Sequence, residues 1–387
     1  MHPSYPIGAI GMGRTREMAP QLLSPARQRA EAMNDGSSLV KGPLKGYHHE
    51  TYVLSPPGGT RRVKLREPRA TSLWFDRRCF QSEEELLRGL RGRIDRIPEV
   101  VDVEGMGLQA FIEGRTLGDH RRGGRPVPDS AFEQIVDVFR QMVPITAETL
   151  HVERRCSRED APEDGDTEAF LKRLVVFVED QVYAANRQEF GSLFAELGVR
   201  DEALVHLEKN VAGLSERPFC LLHGDLHREN FIIDPQGDLW TIDWELAMVG
   251  DPLYDLATHL YLMRYPAYQE ERLIGKWCDV VERIRSGSSH AWENDLRLIT
   301  GFKKGQSVFT DTVRAAKALR DETGFRWAAL PRVAAKLHGV LAAAAGPLGL
   351  EDVPSRREVA AALVRWHRES SGTRPGETCS TRGWRPQ

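Results

Sequence analysis

Three polar side chains between residues 225 and 243 have the types and spacing that phosphoryl transfer from a nucleotide requires. Asp225 and Asn230 lie five residues apart, and Asp243 follows Asn230 by thirteen residues. One carboxylate can orient an attacking hydroxyl and accept its proton. A second carboxylate and a carboxamide oxygen are hard ligands that can hold Mg²⁺ against the phosphates. The spacing therefore predicts a site for phosphoryl transfer.

Two short apolar runs joined by a turn must position these side chains. Phe231–Ile233 and Leu239–Ile242 flank the segment Asp234–Gly237, whose Asp, Pro and Gly are typical turn residues. We therefore expect a strand–turn–strand unit. Asn230 would stand just before its first strand and Asp243 just after its second.

The segment 219–259 resembles the aminoglycoside phosphotransferase and choline kinase-like family of small-molecule kinases. The family motif His-Gly-Asp-x-x-x-x-Asn begins here at His223. It is followed, in the family's order, by Ile242-Asp-Trp-Glu245 and Gly250-Asp-Pro-Leu-Tyr-Asp-Leu-Ala257. The resemblance implies an α+β, bilobal protein-kinase-like fold. Its N-lobe would be a small antiparallel β-sheet with one helix, and its C-lobe would be larger and mainly helical.

The same resemblance implies roles for the polar residues of this segment. Asp225 would be the catalytic base, and Asn230 and Asp243 would hold Mg²⁺. The phosphoryl donor would be ATP, with GTP as the alternative. His223 and His227 are four residues apart and could also form a metal pair, but we favour a scaffold role for both.

Further residues are implied for the nucleotide. Lys64 would reach the phosphates from a strand, and Glu83 would pair with it, with Glu84 as the alternative. A solvated basic strand around Lys64 and ordinary first-turn charge at Glu83 are competing interpretations. The segment from Gln109 to Glu113, which includes Phe111, would be the hinge that receives adenine. Gly46 would belong to the glycine-containing turn over the phosphates.

The residue pattern divides the chain into four ranges. Strand-like runs at Glu50–Leu54 and Arg61–Arg66, with turn residues between them, predict a hairpin. Ser82 followed by three glutamates predicts a helix start. We expect an N-lobe over 39–112 and a C-lobe over 113–368. Residues 1–38 and the tail 369–387 are expected to be disordered.

The acceptor is expected to be a small molecule. Only seven residues separate Asp243 from Asp251, with no Ser, Thr or Tyr among them, so a protein kinase's activation segment has no room. Glu179, Asp180 and Asp311 are acidic candidates for binding a cationic acceptor. An antibiotic with hydroxyl and amine groups is the leading acceptor. The alternatives are choline, homoserine or a sugar, or a regulatory protein that binds a nucleotide without catalysis.

Composition excludes several other classes. A formal net charge of −3 argues against binding to nucleic acid, and no stretch approaches the 18 apolar residues of a membrane span. Five cysteines, none in a Cys-x-x-Cys pair, indicate neither a disulfide framework nor a zinc finger. They suit a reducing compartment, so we expect a cytoplasmic monomer or homodimer.

Overall fold

The structure is a computed structural model. It describes residues 23–36, 38–44, 46, 48–59, 61–69, 73, 77–118, 124–156, 161–321 and 324–372. In these ranges a sheet-containing part is followed by a mainly helical part, which confirms the predicted α+β, bilobal protein-kinase-like fold. A search of the same ranges for a helix with the length and apolar character of a membrane span finds none.

The N-lobe is built on a five-stranded antiparallel sheet in the order β1-β2-β3-β5-β4. Its strands are β1 (Lys41–Leu44), β2 (His49–Leu54), β3 (Val63–Pro68), β4 (Val100–Val103) and β5 (Met106–Ala110). The predicted hairpin is β2 with β3. Side chains alternate along a strand. Val63 and Leu65 are therefore buried on one face, while Lys64 and Arg66 share the other.

A helix before the sheet corrects part of the expectation for residues 1–38. Helix α1 (Pro25–Ala32) begins at Ser24, whose hydroxyl accepts a hydrogen bond from Arg27 N at 3.2 Å. Ala26, Ala30 and Met33 are buried with the apolar face of the sheet in one cluster. This burial orders residues 23–36 because the helix covers a sheet face that would otherwise meet water. Residues 1–22 lie outside the described residues.

Helix α2 (Glu83–Leu90) starts where the sequence predicts. Its N-cap Ser82 accepts hydrogen bonds from Glu84 N and Glu85 N. Leu86 and Leu90 are fully buried in the large core that continues through the C-lobe. The helix therefore connects the two lobes and brings Glu83 to the cleft between them.

Short strands carry the catalytic segment of the C-lobe. They are β6 (Arg115–Thr116), β7 (Cys220–Leu222), β8 (Phe231–Ile233), β9 (Leu239–Thr241), β10 (Met248–Gly250), β11 (Arg320–Asp321) and β12 (Gly324–Phe325). The order β6-β8-β9 forms one sheet, and β7 pairs with β10. The predicted strand–turn–strand unit is β8 with β9.

Helices surround these strands. They are α3 (Asp129–Met142), α4 (Thr167–Phe177), α5 (Ala185–Glu196), α6 (Asp201–Asn210), α7 (Pro252–Met263), α8 (Ala267–Ile284), α9 (Trp292–Ala318), α10 (Leu330–Leu348) and α11 (Arg356–Gly372). A π-helical stretch, Val178–Ala184, joins α4 to α5. Helix α11 continues past the predicted boundary at residue 368, which corrects the start of the tail. Residues 373–387 of that predicted tail lie outside the described residues.

Candidate active site

The loop between β7 and β8 carries Asp225 and is held by a buried carboxylate of α7. Asp255, 1% exposed, accepts hydrogen bonds from the backbone N–H groups of His223 (3.0 Å) and Gly224 (2.9 Å). Gly224 has a φ of +79°, and a Cβ there would lie 2.7 Å from the Leu246 carbonyl oxygen. Burial raises the pKa of Asp255 to about 6, against the effect of its two hydrogen bonds. Asp255 therefore braces the loop.

Asp225 and Asn230 meet on this loop. Asn230 Nδ2 donates to the backbone oxygen of Asp225 at 2.9 Å and lies 3.4 Å from Asp225 Oδ2. His227 Nε2 lies 3.3 Å from the same Oδ2. Burial lowers the pKa of His227, but the charge of Asp225 outweighs burial and raises it. The donor end of the Asn230 amide is thus used within the loop, and its oxygen is the atom that it can offer to a cation.

His223 is a scaffold residue. Its side chain is fully buried, its Nδ1 accepts a hydrogen bond from Asp225 N at 3.3 Å, and its Nε2 lies 3.1 Å from the backbone oxygen of Ile242. Both ring nitrogens are engaged with backbone atoms, so His223 does not form a metal pair with His227. The ring joins the loop of Asp225 to the strand end that carries Asp243.

Asp243 follows β9 with its backbone in the left-handed region, at φ 68° and ψ 60°. Such a conformation is costly for a residue other than glycine and is kept where the surroundings enforce it. Here Ile242 N donates to the backbone oxygen of Asn230 at 3.0 Å. Burial acts to raise the pKa of Asp243, but the charges of Arg66 and Lys64 hold it at about 2. Asp243 is therefore an anion at neutral pH, next to Asn230.

Arg66 joins the N-lobe to Asp243. Its guanidinium forms an ion pair with Glu83 of α2 and donates from Nη2 to Asp243 Oδ1 at 2.8 Å. Glu83 Oε1 in turn accepts a hydrogen bond from Trp244 N at 2.9 Å. The side chains of Arg66 and Glu83 are 14% and 5% exposed, so this is a nearly buried network. It fixes α2 and β3 against the strand end of the C-lobe.

The pairing of Glu83 with Arg66 differs from the expectation of a Lys64–Glu83 pair. Lys64 and Arg66 are two residues apart on β3 and project from the same face, so either cation could reach α2. Lys64 lies beside the network: burial and the charge of Arg66 lower its pKa to about 8, while Glu83 and Asp243 act to raise it. The spacing of the two cations was the available signal, but it could not choose between them.

The residues expected to contact the nucleotide are spread along the N-lobe. Gln109 is 1% exposed, and its Nε2 donates to Glu84 Oε1 at 3.1 Å, which leaves Glu83 as the glutamate of the cleft. Phe111 N donates to the Arg62 oxygen at 2.8 Å, so the pairing with β3 continues one residue past β5. Gly46 is exposed between β1 and β2. The nucleotide contacts of Gln109, Phe111 and Gly46 remain predictions.

Glu245 and His49 complete the cleft, and neither was among the predicted site residues. Glu245 Oε2 lies 3.4 Å from His49 Nδ1 and 3.5 Å from Arg66 Nη2. Burial and then the charge of Asp243 raise the pKa of Glu245 to about 8. Burial and then Arg66 lower the pKa of His49 to about 3. The location of Glu245 two residues after Asp243 was the only signal in the sequence.

The residues present fit a magnesium site. Asp243 supplies an ionised carboxylate and Asn230 an amide oxygen, both of them hard donors. One oxygen each of Glu83, Asp243 and Glu245 also lies within 4.8 Å of the others. Few protein ligands suit Mg²⁺, which keeps several waters and phosphate oxygens.

Comparison with known proteins gives the family. Residues 40–286 match the phosphotransferase enzyme family (APH). A match 33% identical over 93 residues joins the chain to acyl-CoA dehydrogenase family member 11 of Mus musculus; it covers 24% of this chain and 12% of that protein. The chain thus matches about an eighth of the length of this curated relative.

Solved structures of similar fold include two phosphotransferases. Macrolide 2′-phosphotransferase from Brachybacterium faecium is 17% identical, with a TM-score of 0.48 over 86% of this chain and 100% of that one. Choline kinase from Streptococcus pneumoniae is 17% identical, with a TM-score of 0.49 over 82% of this chain and 97% of that one. Because the family match extends over more than half of the chain, this protein belongs to the phosphotransferase enzyme family and is a phosphotransferase that acts on hydroxyl groups of small molecules.

Proposed function

We propose that the protein transfers the γ-phosphoryl group of ATP to a hydroxyl of a small molecule, with Asp225 as the base. The observation that carries this proposal is the convergence of Asp225, Asn230 and Asp243 at the ends of β7, β8 and β9. Asp225 accepts the proton as the hydroxyl oxygen forms its bond to the γ-phosphorus. The bond from that phosphorus to the bridging oxygen then breaks, and ADP leaves.

The residues around Asp225 orient it for this step. Asn230 and His227 contact the same carboxylate oxygen, at 3.4 and 3.3 Å, and limit its rotation. A magnesium ion held by Asn230 and Asp243 would neutralise charge on the phosphates. Lys64 is the proposed protein cation for the phosphates, since Arg66 is already engaged by Glu83 and Asp243. Positioning and charge neutralisation would supply most of the rate.

We place the acceptor between the catalytic loop and helices α7 and α9. The acidic candidates there are changed by the structure. Glu179 and Asp180 are exposed on the π-helical stretch, and Asp311 is paired with Lys336 at 2.8 Å. An antibiotic with hydroxyl and amine groups remains the leading proposal. The neutralisation of Asp311 favours, as the second candidate, an acceptor with little positive charge, such as a sugar or an amino alcohol metabolite.

Replacing the base tests the reaction. We expect Asp225→Asn to lower kcat by roughly 10²–10⁴-fold while Mg²⁺–ATP still binds, because the amide keeps the shape of the side chain but cannot accept the proton. Asp238→Asn makes the same chemical change at an exposed carboxylate of the β8–β9 turn and should leave kcat unchanged. Full activity in Asp225→Asn would exclude Asp225 as the base.

The acceptor is found by a screen under the same assay. ADP release is measured with aminoglycosides, macrolides, peptide antibiotics, nucleoside antibiotics, choline, homoserine and sugars, and Asp225→Asn serves as the blank. Acceptor-dependent turnover that is lost in Asp225→Asn identifies the substrate class. Nucleotide binding without turnover on any acceptor would instead support the regulatory alternative.

A further inference from the structure

Two cysteines that are distant in sequence meet behind the cleft. The segment that enters α2 runs antiparallel to the segment that follows α3, with a bridge between Phe80 and Arg154. Arg155 N donates to the backbone oxygen of Cys79 at 3.0 Å. Cys156 is the next residue and lies diagonally across from Cys79. The backbone therefore holds the two cysteines as neighbours on adjacent extended segments.

Their thiols share a small cavity. Both line a space of about 50 Å³ together with Arg77, Arg154 and Arg173, and with apolar side chains on its other side. Both cysteines are only partly buried. A space of this size admits a few water-sized molecules and no large organic ligand. The cavity can thus admit a small oxidant to the sulfur atoms.

The surroundings favour the thiolate form of Cys156. A hydrogen bond from Cys79 lowers the pKa of Cys156 to about 6 against the effect of burial, and the charges of Arg77 and Arg154 lower it further. Cys278 is also partly buried but has no such partners, and burial raises its pKa to about 11. A thiolate beside a second thiol is the arrangement of an oxidisable cysteine with a resolving partner.

We propose that Cys79 and Cys156 form a dithiol site at which hydrogen peroxide or a small hydroperoxide produces a disulfide. The site is independent of the proposed phosphoryl transfer. The bond would tie the segment entering α2 to the C-lobe. Arg78, which adjoins Cys79, lies 3.7 Å from Glu245 of the cleft through its Nη2.

The chemistry balances in two steps. The Cys156 thiolate attacks one peroxide oxygen, the O–O bond breaks, and the departing hydroxide takes a proton to become water. Cys156 is then a sulfenic acid. The Cys79 sulfur attacks the sulfenic sulfur, the S–S bond forms, and the released hydroxide combines with the thiol proton as a second water. The two thiols lose two electrons in total, and the peroxide gains them.

Mass spectrometry tests the site on the full chain. A Cys278→Ser/Cys379→Ser background removes two other thiols. After treatment with hydrogen peroxide we expect the intact mass to fall by two hydrogen atoms and a peptide linked through Cys79 and Cys156 to appear. The loss should be reversed by a dithiol reductant. Absence of the linked peptide when both thiols can be alkylated in the reduced protein would overturn the proposal.

Single variants separate the two roles. Cys79→Ser should stop at a sulfenic acid on Cys156, which dimedone traps, and Cys156→Ser should give no linked peptide. In the otherwise unmodified chain, Cys156 should react with iodoacetamide at pH 7 at least about tenfold faster than Cys278, and its rate should fall below pH 6. Equal rates for the two cysteines would contradict the thiolate assignment. The melting temperature of each variant confirms that it is folded.

Discussion

Arg66 shows how one side chain can organise a cleft. It is nearly buried and is surrounded by Glu83, Asp243 and Glu245, so its charge is compensated on several sides. A buried cation of this kind is costly unless each donor finds an acceptor. The same contacts keep Asp243 ionised, with a pKa of about 2. The ion pair thus contributes both to the stability of the lobe contact and to the state of the proposed metal ligand.

Replacing Arg66 should therefore affect stability and nucleotide use together. We expect Arg66→Met to lower the free energy of unfolding by roughly 3–5 kcal/mol, because it leaves several buried carboxylates without their cation. It should also weaken Mg²⁺–ATP binding. Arg61→Met removes an exposed ion pair with Glu99 near the same strand and should cost no more than about 1 kcal/mol. Urea unfolding and nucleotide titration measure both effects. Equal losses in the two variants would show that the network around Arg66 adds nothing special.

At the scale of elements, local patterns predicted what local patterns determine. The hairpin of β2 and β3, the start of α2 at Ser82 and the unit of β8 and β9 each depend on residues close in sequence. Helix α1 was missed because its buried side is small. Only Ala26 and Ala30 within the helix are buried, and prolines surround the segment. Its order comes from the sheet face that it covers, and that contact is not visible in a single stretch of sequence.

A charge on the buried side of α1 tests this interpretation. Ala30 is fully buried, so Ala30→Glu places an unpaired carboxylate against the sheet and should cost more than about 2 kcal/mol of unfolding free energy. Gln28→Glu introduces the same side chain at an exposed position of the same helix and should change stability by less than about 0.5 kcal/mol. Thermal unfolding compares them. A tolerated Ala30→Glu would mean that α1 does not contribute to the N-lobe core.

At the scale of the whole molecule, the proposed site depends on contacts between distant parts of the chain. The residues from 223 to 243 could be predicted because one loop and two strands carry them. The choice of Arg66 over Lys64 could not, since it depends on a contact with Asp243 across 177 residues of sequence. Helix α2 belongs to the core of the C-lobe, while β3 packs with α1 in a separate core. The cleft is therefore a boundary between two cores, and a ligand bound there contacts both.

A nucleotide that bridges the two cores should stabilise the folded chain only with its metal. We expect a non-hydrolysable ATP analogue with Mg²⁺ to add about 2.7 kcal/mol at a hundred times its Kd, and EDTA to remove most of this gain. Asp243→Asn should lose the Mg²⁺-dependent part, measured against the melting temperature of the unliganded variant, because the amide carries no charge for the cation. Asp238→Asn, at the exposed turn between β8 and β9, should keep the whole gain. A stabilisation that is equal with and without Mg²⁺ would place the nucleotide away from Asn230 and Asp243, and the assignment of these two residues as metal ligands would fail.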